Sequence, residues 1–181
     1  MAPTEAQADL RRAHVNGGAG VLVSGLAWLA ATLAFLIAGP KPAFVTLFIC
    51  GLAIAPVAQL VTKYGFKAPA AGPGKRLEWI AIATVPVLLA GFFFGWLRLE
   101  ATPFAAIPMV AIGVGLRYLV FPVMYGGRVF FGLGAVFIAG GAAGLAMPES
   151  AALLMTLFLA LTEVQVGSWL IRTWRAAGQA G

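Results

Sequence analysis

Charge is scarce in this chain of 181 residues, of which only 10% are charged and only six are acidic. The sequence has one cysteine, Cys50, so no disulfide can form within the chain. It has one histidine, His14, which excludes a zinc or haem site built on several histidines. We therefore predict no metal and no other cofactor.

Motifs that carry catalysis are also missing. The sequence has no HExxH motif, no nucleophile elbow and no Gly-rich dinucleotide fingerprint. Glu163 is the only carboxylate deep inside an apolar run, so a mechanism that uses paired carboxylates has no basis there. Nothing in the sequence argues for an enzyme, and we expect a protein without catalytic activity.

Hydrophobic residues, by contrast, make up 61% of the chain, which is too much for a soluble domain. Six apolar runs each reach the ~20 residues that a membrane-spanning helix needs, whereas barrel strands need only about 10. The predicted helices cover residues 19–38, 43–62, 77–97, 103–124, 129–147 and 150–171. We predict an all-α polytopic membrane protein, a single transmembrane domain over residues 1–181, with three antiparallel hairpins and a flexible loop at 63–76.

The net charge of +6 raises the question of a nucleic-acid partner. The basic residues, however, lie at the ends of the apolar runs, as topology signals do. If the N-terminus is cytoplasmic, nine lysines and arginines fall on the cytoplasmic side, two fall outside, and Arg117 lies within the fourth run. We therefore predict cytoplasmic termini and contacts with membrane lipids, and no nucleic-acid partner.

The polar N-terminal stretch, residues 4–15, opens with Thr4-x-x-Gln7, the pattern of a capping box. It predicts a short helix at the membrane surface, and the alternative is a frayed tail. The apolar run that follows is ~20 residues long, whereas that of a signal peptide is about 7–15. We interpret it as a retained first helix.

Small-residue pairs occur in two of the predicted helices, Gly91-x-x-x-Gly95 and Gly140-x-x-x-Gly144. Such pairs allow helix backbones to approach closely in a membrane. Packing within the chain is the favoured interpretation, and a homo-oligomer formed through either pair is the alternative.

Two buried charges are the main candidates for function. Arg117 lies 14 residues after Pro103, and Glu163 lies 13 residues after Ser150. Because the fourth and sixth helices run in the same direction, the two charges should lie at nearly the same depth. Each alone costs about 2.5–3.5 kcal/mol at the bilayer centre, so we predict that they pair. Gln59 lies at a similar depth and could join them.

The stretches "RRAHVNGGAGVLVSGLAW" and "LRYLVFPVMYGGRVFFGLGA" resemble a family of small bacterial six-helix membrane proteins, a domain of unknown function. The resemblance covers nearly the whole chain. It implies a location in the bacterial cytoplasmic (inner) membrane, and it implies no activity and no site residues.

Two hypotheses about function remain. In the first, the protein is a transporter or channel-like protein for a small solute or ion, with Arg117, Glu163 and Gln59 lining one cavity. In the second, it is a non-catalytic scaffold or accessory subunit in which the Arg117–Glu163 pair is structural. A lipid-handling enzyme is a weaker third hypothesis. A polar cavity open to one side would favour the first hypothesis, and a dry interior the second.

Overall fold

The architecture is known from a computed structural model that describes residues 4–148 and 151–179. Every regular element in this part of the chain is a helix, and no strand occurs in it, as predicted. Its α-helices are α1 Glu5–Ala13, α2 Gly18–Ala38, α3 Pro40–Leu60, α4 Lys75–Ala83, α5 Val85–Arg98, α6 Ala106–Tyr125, α7 Val129–Ala146 and α8 Ala151–Gln179.

Within the described residues, six helical segments are long and apolar enough to cross a membrane, which confirms the predicted number. They are Val15–Ala38, Pro40–Gly65, Lys75–Arg98, Pro103–Tyr125, Val129–Ala146 and Ala151–Gly178. The predicted start of the last helix, Ser150, lies outside the described residues. Lys63 and Lys75, which we had placed in the loop, belong to the helical ends that flank it.

The third span is interrupted at Thr84, which separates α4 from α5. The Thr84 hydroxyl donates a hydrogen bond to the carbonyl oxygen of Ala81 at 2.8 Å. Pro86 follows within the first turn of α5 and has no backbone N–H to donate. The regular pattern of backbone hydrogen bonds is therefore interrupted at Thr84, near the middle of the span.

The two ends of the bundle differ. At one end, which we call the proximal end, α1 lies against the loop before α4 and against the end of α6. At the opposite, distal end, Lys41 at the start of α3 forms a 2.9 Å ion pair with Glu100, just beyond α5. The loop from 66 to 74 and both described chain ends lie at the proximal end.

Helix packing is uneven around the bundle. α2 packs against α3 and α8, α6 packs against α5 and α7, and α7 packs against α8. Contacts between α3 and the α4–α5 span are few. A gap therefore remains between these two spans on one side of the bundle. The assignment of the spans to three hairpins stays a prediction.

Glycines bring α2 and α8 close together. A Cβ added at Gly167 would lie 2.6 Å from the backbone nitrogen of Leu22, and one at Gly25 would lie 2.8 Å from that of Val164. Neither position has room for a larger residue. Backbone contact of this kind supplies dispersion energy where the membrane provides no hydrophobic driving force.

The two predicted small-residue pairs contact helices of the same chain. Gly91 and Gly95 lie against the backbone of α6, and Gly140 and Gly144 lie against side chains of α6 and α8. This is the packing that we favoured from the sequence. A homo-oligomer formed through these residues stays a prediction.

The N-terminal helix α1 begins with the predicted capping box, in which Thr4 and Gln7 bond reciprocally. The Asp9 carboxylate accepts hydrogen bonds from the backbone N–H groups of Gly72 and Gly74, at 2.7 and 3.0 Å. Trp174 donates to the carbonyl oxygen of Arg12 at 3.1 Å. These contacts attach α1 to the start of the third span and to the end of α8.

Candidate functional site

A cavity of about 360 Å³ lies between α2, α3, the α4–α5 span and α6. Along the span Pro40–Gly65 its wall runs from Leu47 to Thr62, a separation of fifteen residues, or about 22 Å at 1.5 Å per residue. The cavity therefore extends through more than half of a typical hydrocarbon core of ~30 Å. Its volume falls at the small end of the range known for ligand pockets, about 300–1,000 Å³.

Bulky apolar side chains close the cavity toward the distal end. Trp28, Leu47, Phe92 and Val110 are the lining residues nearest that end of their spans, and each is at most 8% exposed. Phe92 also packs edge-to-face on Phe44, with ring centroids 5.7 Å apart. The inner part of the cavity is therefore apolar and sealed.

Polar side chains line the proximal part of the cavity. His14 Nε2 lies 3.0 Å from a carboxylate oxygen of Glu78, and these side chains are 31% and 37% exposed. Gln59 on α3 and Thr62, just beyond its end, line the wall formed by the second span. The cavity thus reaches the surface at the proximal end, between α1, α3 and α4.

Arg117 lies in the wall of the cavity, on α6. Its guanidinium carbon is 5.6 Å from the centre of the Phe121 ring, a cation–π distance. Its Nε is buried and has no hydrogen-bond partner. None of the ion pairs within residues 4–148 and 151–179 includes Arg117. The cavity therefore has an arginine in its wall that no carboxylate neutralises.

The predicted ion pair between Arg117 and Glu163 is wrong. Glu163 is fully buried, and it bonds instead with Ser24 and Tyr118. Consecutive residues of an α-helix point about 100° apart, because a turn takes 3.6 residues. On α6 it is Tyr118 that faces Glu163, while Arg117 faces the cavity. Matched depth was therefore not enough to pair the charges.

Glu163 stands behind the cavity wall rather than in it. Its Oε1 accepts hydrogen bonds from the Ser24 hydroxyl at 3.0 Å and from the Tyr118 hydroxyl at 2.5 Å. Ser24 and Tyr118 both line the cavity, on α2 and α6. The second carboxyl oxygen, Oε2, is buried without a hydrogen-bond partner. The carboxyl group thus joins three helices and fixes two hydroxyl groups of the wall.

Gln59, the third candidate from the sequence, lines the same cavity as Arg117, whereas Glu163 does not line it. Sequence reasoning did not identify Ser24 and Tyr118 as the partners of Glu163. It also missed the His14–Glu78 contact. Helical spacing places Gly20, Ser24 and Trp28 on one face of α2, which was the available sign that this face borders a polar space.

Metal binding finds no support in the described part of the chain, where no three histidine, cysteine, aspartate or glutamate side chains are grouped around one point. Cys50 is half-buried. The roles of Arg117, Glu163 and Gln59 in binding, predicted from the sequence, stay predictions.

Comparison with known proteins identifies the family and no activity. No curated protein and no solved structure matches the chain. One family model matches residues 4–173, nearly the full length, and its description is a family of unknown function. The chain therefore belongs to the family of unknown function DUF7010.

Proposed function

We propose that this multi-pass membrane protein is a carrier that moves a small solute across the membrane through the cavity between α2, α3, α4–α5 and α6. The observation that carries the proposal is the un-neutralised Arg117 in the wall of a cavity that is sealed distally and reaches the surface proximally. We propose further that the membrane is the bacterial cytoplasmic membrane and that both termini are cytoplasmic. The cavity then opens toward the cytoplasm.

The energetics favour a binding role over a purely structural one. An arginine within the membrane costs about 2.5–3.5 kcal/mol on insertion scales, and side chains of this kind usually face a polar cavity. In a scaffold, an arginine without an ion-pair partner would carry this free-energy cost, and no ion pair would compensate for it. A carrier gains a site that attracts a charged group of its solute.

One-sided access also fits a carrier. Alternating access requires that a site within the membrane be closed to one side while it is open to the other. Here the apolar side chains around Trp28 and Phe92 form the closed side. The weak contacts between α3 and the α4–α5 span leave room for these spans to move. The state described is the one open at the proximal end.

The side chains have separate roles in this proposal. Arg117 binds the solute, and Gln59 offers amide hydrogen bonds from the opposite wall. Glu163 is a positioning residue, because it acts through the hydroxyl groups of Ser24 and Tyr118 and does not contact the solute.

Cysteine labelling tests the proposal. In a Cys50→Ser background, Val114→Cys places a thiol in the wall of the cavity, one turn from Arg117 toward the distal end, where Val114 is partly exposed. A membrane-impermeant maleimide should label it from the proximal side, and also from the distal side as the carrier cycles. Leu116→Cys, on the same helix but outside the cavity, is the control and should stay unlabelled. A scaffold would leave Val114→Cys without distal labelling, and that result would refute the carrier.

A further inference from the structure

We infer that the ligand of the cavity is an amphipathic anion, which places its anionic head at Arg117 and a single apolar chain toward Trp28, Leu47 and Phe92. The inference deepens the proposed function by naming the solute class. It rests on the distribution of charge along the cavity, on the depth of the apolar part, and on the gap between α3 and α4.

Charge complementarity selects an anion. Arg117 and His14 are the basic side chains that line the cavity, and Glu78 is the acidic one. Glu78 contacts His14 at the proximal surface, so these two are engaged with each other. Arg117, deeper in the wall, has a buried Nε with no partner. A carboxylate or a phosphate monoester accepts hydrogen bonds from the guanidinium and also neutralises its charge, which a neutral or cationic head cannot do.

Depth and volume select one apolar chain. From Arg117 to Val110 the wall of α6 extends seven residues, or about 10 Å. Apart from the Ser24 and Tyr118 hydroxyls, which Glu163 engages, the lining side chains over this distance are apolar, and they end at the buried Trp28 and Phe92. A volume of about 360 Å³ suits one chain of modest length. A short, fully polar anion would leave this apolar surface uncovered.

The gap between α3 and α4 connects the cavity to the bilayer. Gln59 and Ile82 line the cavity from opposite sides of the gap, and both are exposed, Ile82 by 55%. Phe48 and Phe92, in edge-to-face contact with ring centroids 5.2 Å apart, join the two spans farther toward the distal end. A ligand that partitions into the membrane could therefore slide in sideways, with its head at the proximal surface.

Quenching of tryptophan fluorescence tests the inference. The probe is 11-bromoundecanoate, added to the full chain in phosphatidylcholine nanodiscs, because bromine quenches tryptophan on contact. Wild type should show a saturable quench that Trp28→Phe lacks, in addition to the non-saturable quench of tryptophans that face lipid. Undecanoate and undecyl phosphate should compete for the site, and their ranking separates a free carboxylate from a phosphate head. Acetate, which has the head without the chain, should not compete.

Charge is tested with matched variants. Arg117→Gln should raise the Kd obtained from the saturable quench about tenfold or more, because a lost hydrogen bond between charged groups costs about 1.5–3 kcal/mol. Arg117→Lys should restore part of the affinity. Arg128→Gln, at an exposed arginine that does not line the cavity, should bind as wild type does. The inference would be overturned if 11-bromoundecyltrimethylammonium gave the same saturable quench in wild type. It would also be overturned if the bromo acid bound Arg117→Gln as tightly as wild type.

The two proposals can fail separately. Saturable binding of the bromo acid without distal labelling of Val114→Cys would leave the ligand class standing and refute the carrier. Distal labelling without saturable binding would leave the carrier standing and refute the ligand class.

Discussion

Removing the hydroxyl group of Tyr118 should destabilise the protein, although this group lies far from any loop or chain end. The hydroxyl donates to Glu163 Oε1, which is fully buried. In Tyr118→Phe that oxygen keeps only the Ser24 hydroxyl, while Oε2 has no partner already. The substitution changes no other atom, so any loss of stability reports this hydrogen bond.

The magnitude follows from the environment of the carboxyl group. Hydrogen bonds between membrane helices contribute about 0.6 kcal/mol on average and up to about 1.7 kcal/mol. We expect about 1.5 kcal/mol, near the upper value, because the acceptor is buried and poorly satisfied. For a chain of this size each kcal/mol lowers the melting temperature by about 2–4 °C, so Tyr118→Phe should melt about 3–6 °C earlier.

Thermal unfolding followed by tryptophan fluorescence measures this change. Tyr64→Phe is the matched control, because Tyr64 is 65% exposed and its loss of a hydroxyl should have little effect. Ser24→Ala should destabilise in the same direction as Tyr118→Phe. The double variant should lose more than the sum of the two, because Glu163 would then have no donor left. If Tyr118→Phe melted with wild type, the hydrogen bond would not be holding the three helices together.

Three further substitutions test other contacts. Asp9→Ala removes the acceptor of two backbone N–H groups before α4, so the adjoining loop should be cut faster in limited proteolysis. Gly167→Val should abolish folding or lower the melting temperature sharply, because its Cβ would lie 2.6 Å from the backbone nitrogen of Leu22. The control is Gly20→Ala, which has open space around it and should leave the melting temperature unchanged or slightly higher in the same assay. Lys41→Ala breaks an ion pair in which the side chain of Glu100 is 88% exposed, and should shift chemical unfolding by less than about 1 kcal/mol.

The spans could be predicted from the sequence because a membrane constrains each of them alone. Every helix must satisfy its backbone groups internally and remain apolar for ~20 residues, and both properties can be read locally. The same is true of the capping box at Thr4 and Gln7, which involves neighbours within one turn. Such features need no knowledge of the other helices.

The partner of Glu163 could not be predicted in this way, because it depends on the rotation of each helix about its axis. Counting residues placed Arg117 and Glu163 at one depth, and Tyr118 lies at almost the same depth. A rotation of about 100° decides which of the two neighbours on α6 meets the carboxyl group. In a helix that is apolar on all sides, periodicity gives no preference for either face.

The position and the walls of the cavity could likewise not be predicted from the sequence, because the cavity arises where two spans fail to pack. α3 and α4 contact each other little, and no residue pattern marks the absence of a contact. Gln59 was assigned to the same cavity as Arg117 from depth alone, and both residues do line it. The closure of the cavity by Trp28 and Phe92, by contrast, required the positions of all four spans.

The most direct measurement is a crystal structure grown from a lipid mesophase that contains 11-bromoundecanoate, with the bromine located by its anomalous signal. We predict a bromine peak between Trp28, Leu47 and Phe92, with the carboxylate of the acid against the Arg117 guanidinium. A closed gap between α3 and α4, with Arg117 turned toward Glu163 and no bromine inside the bundle, would contradict a binding role for the cavity.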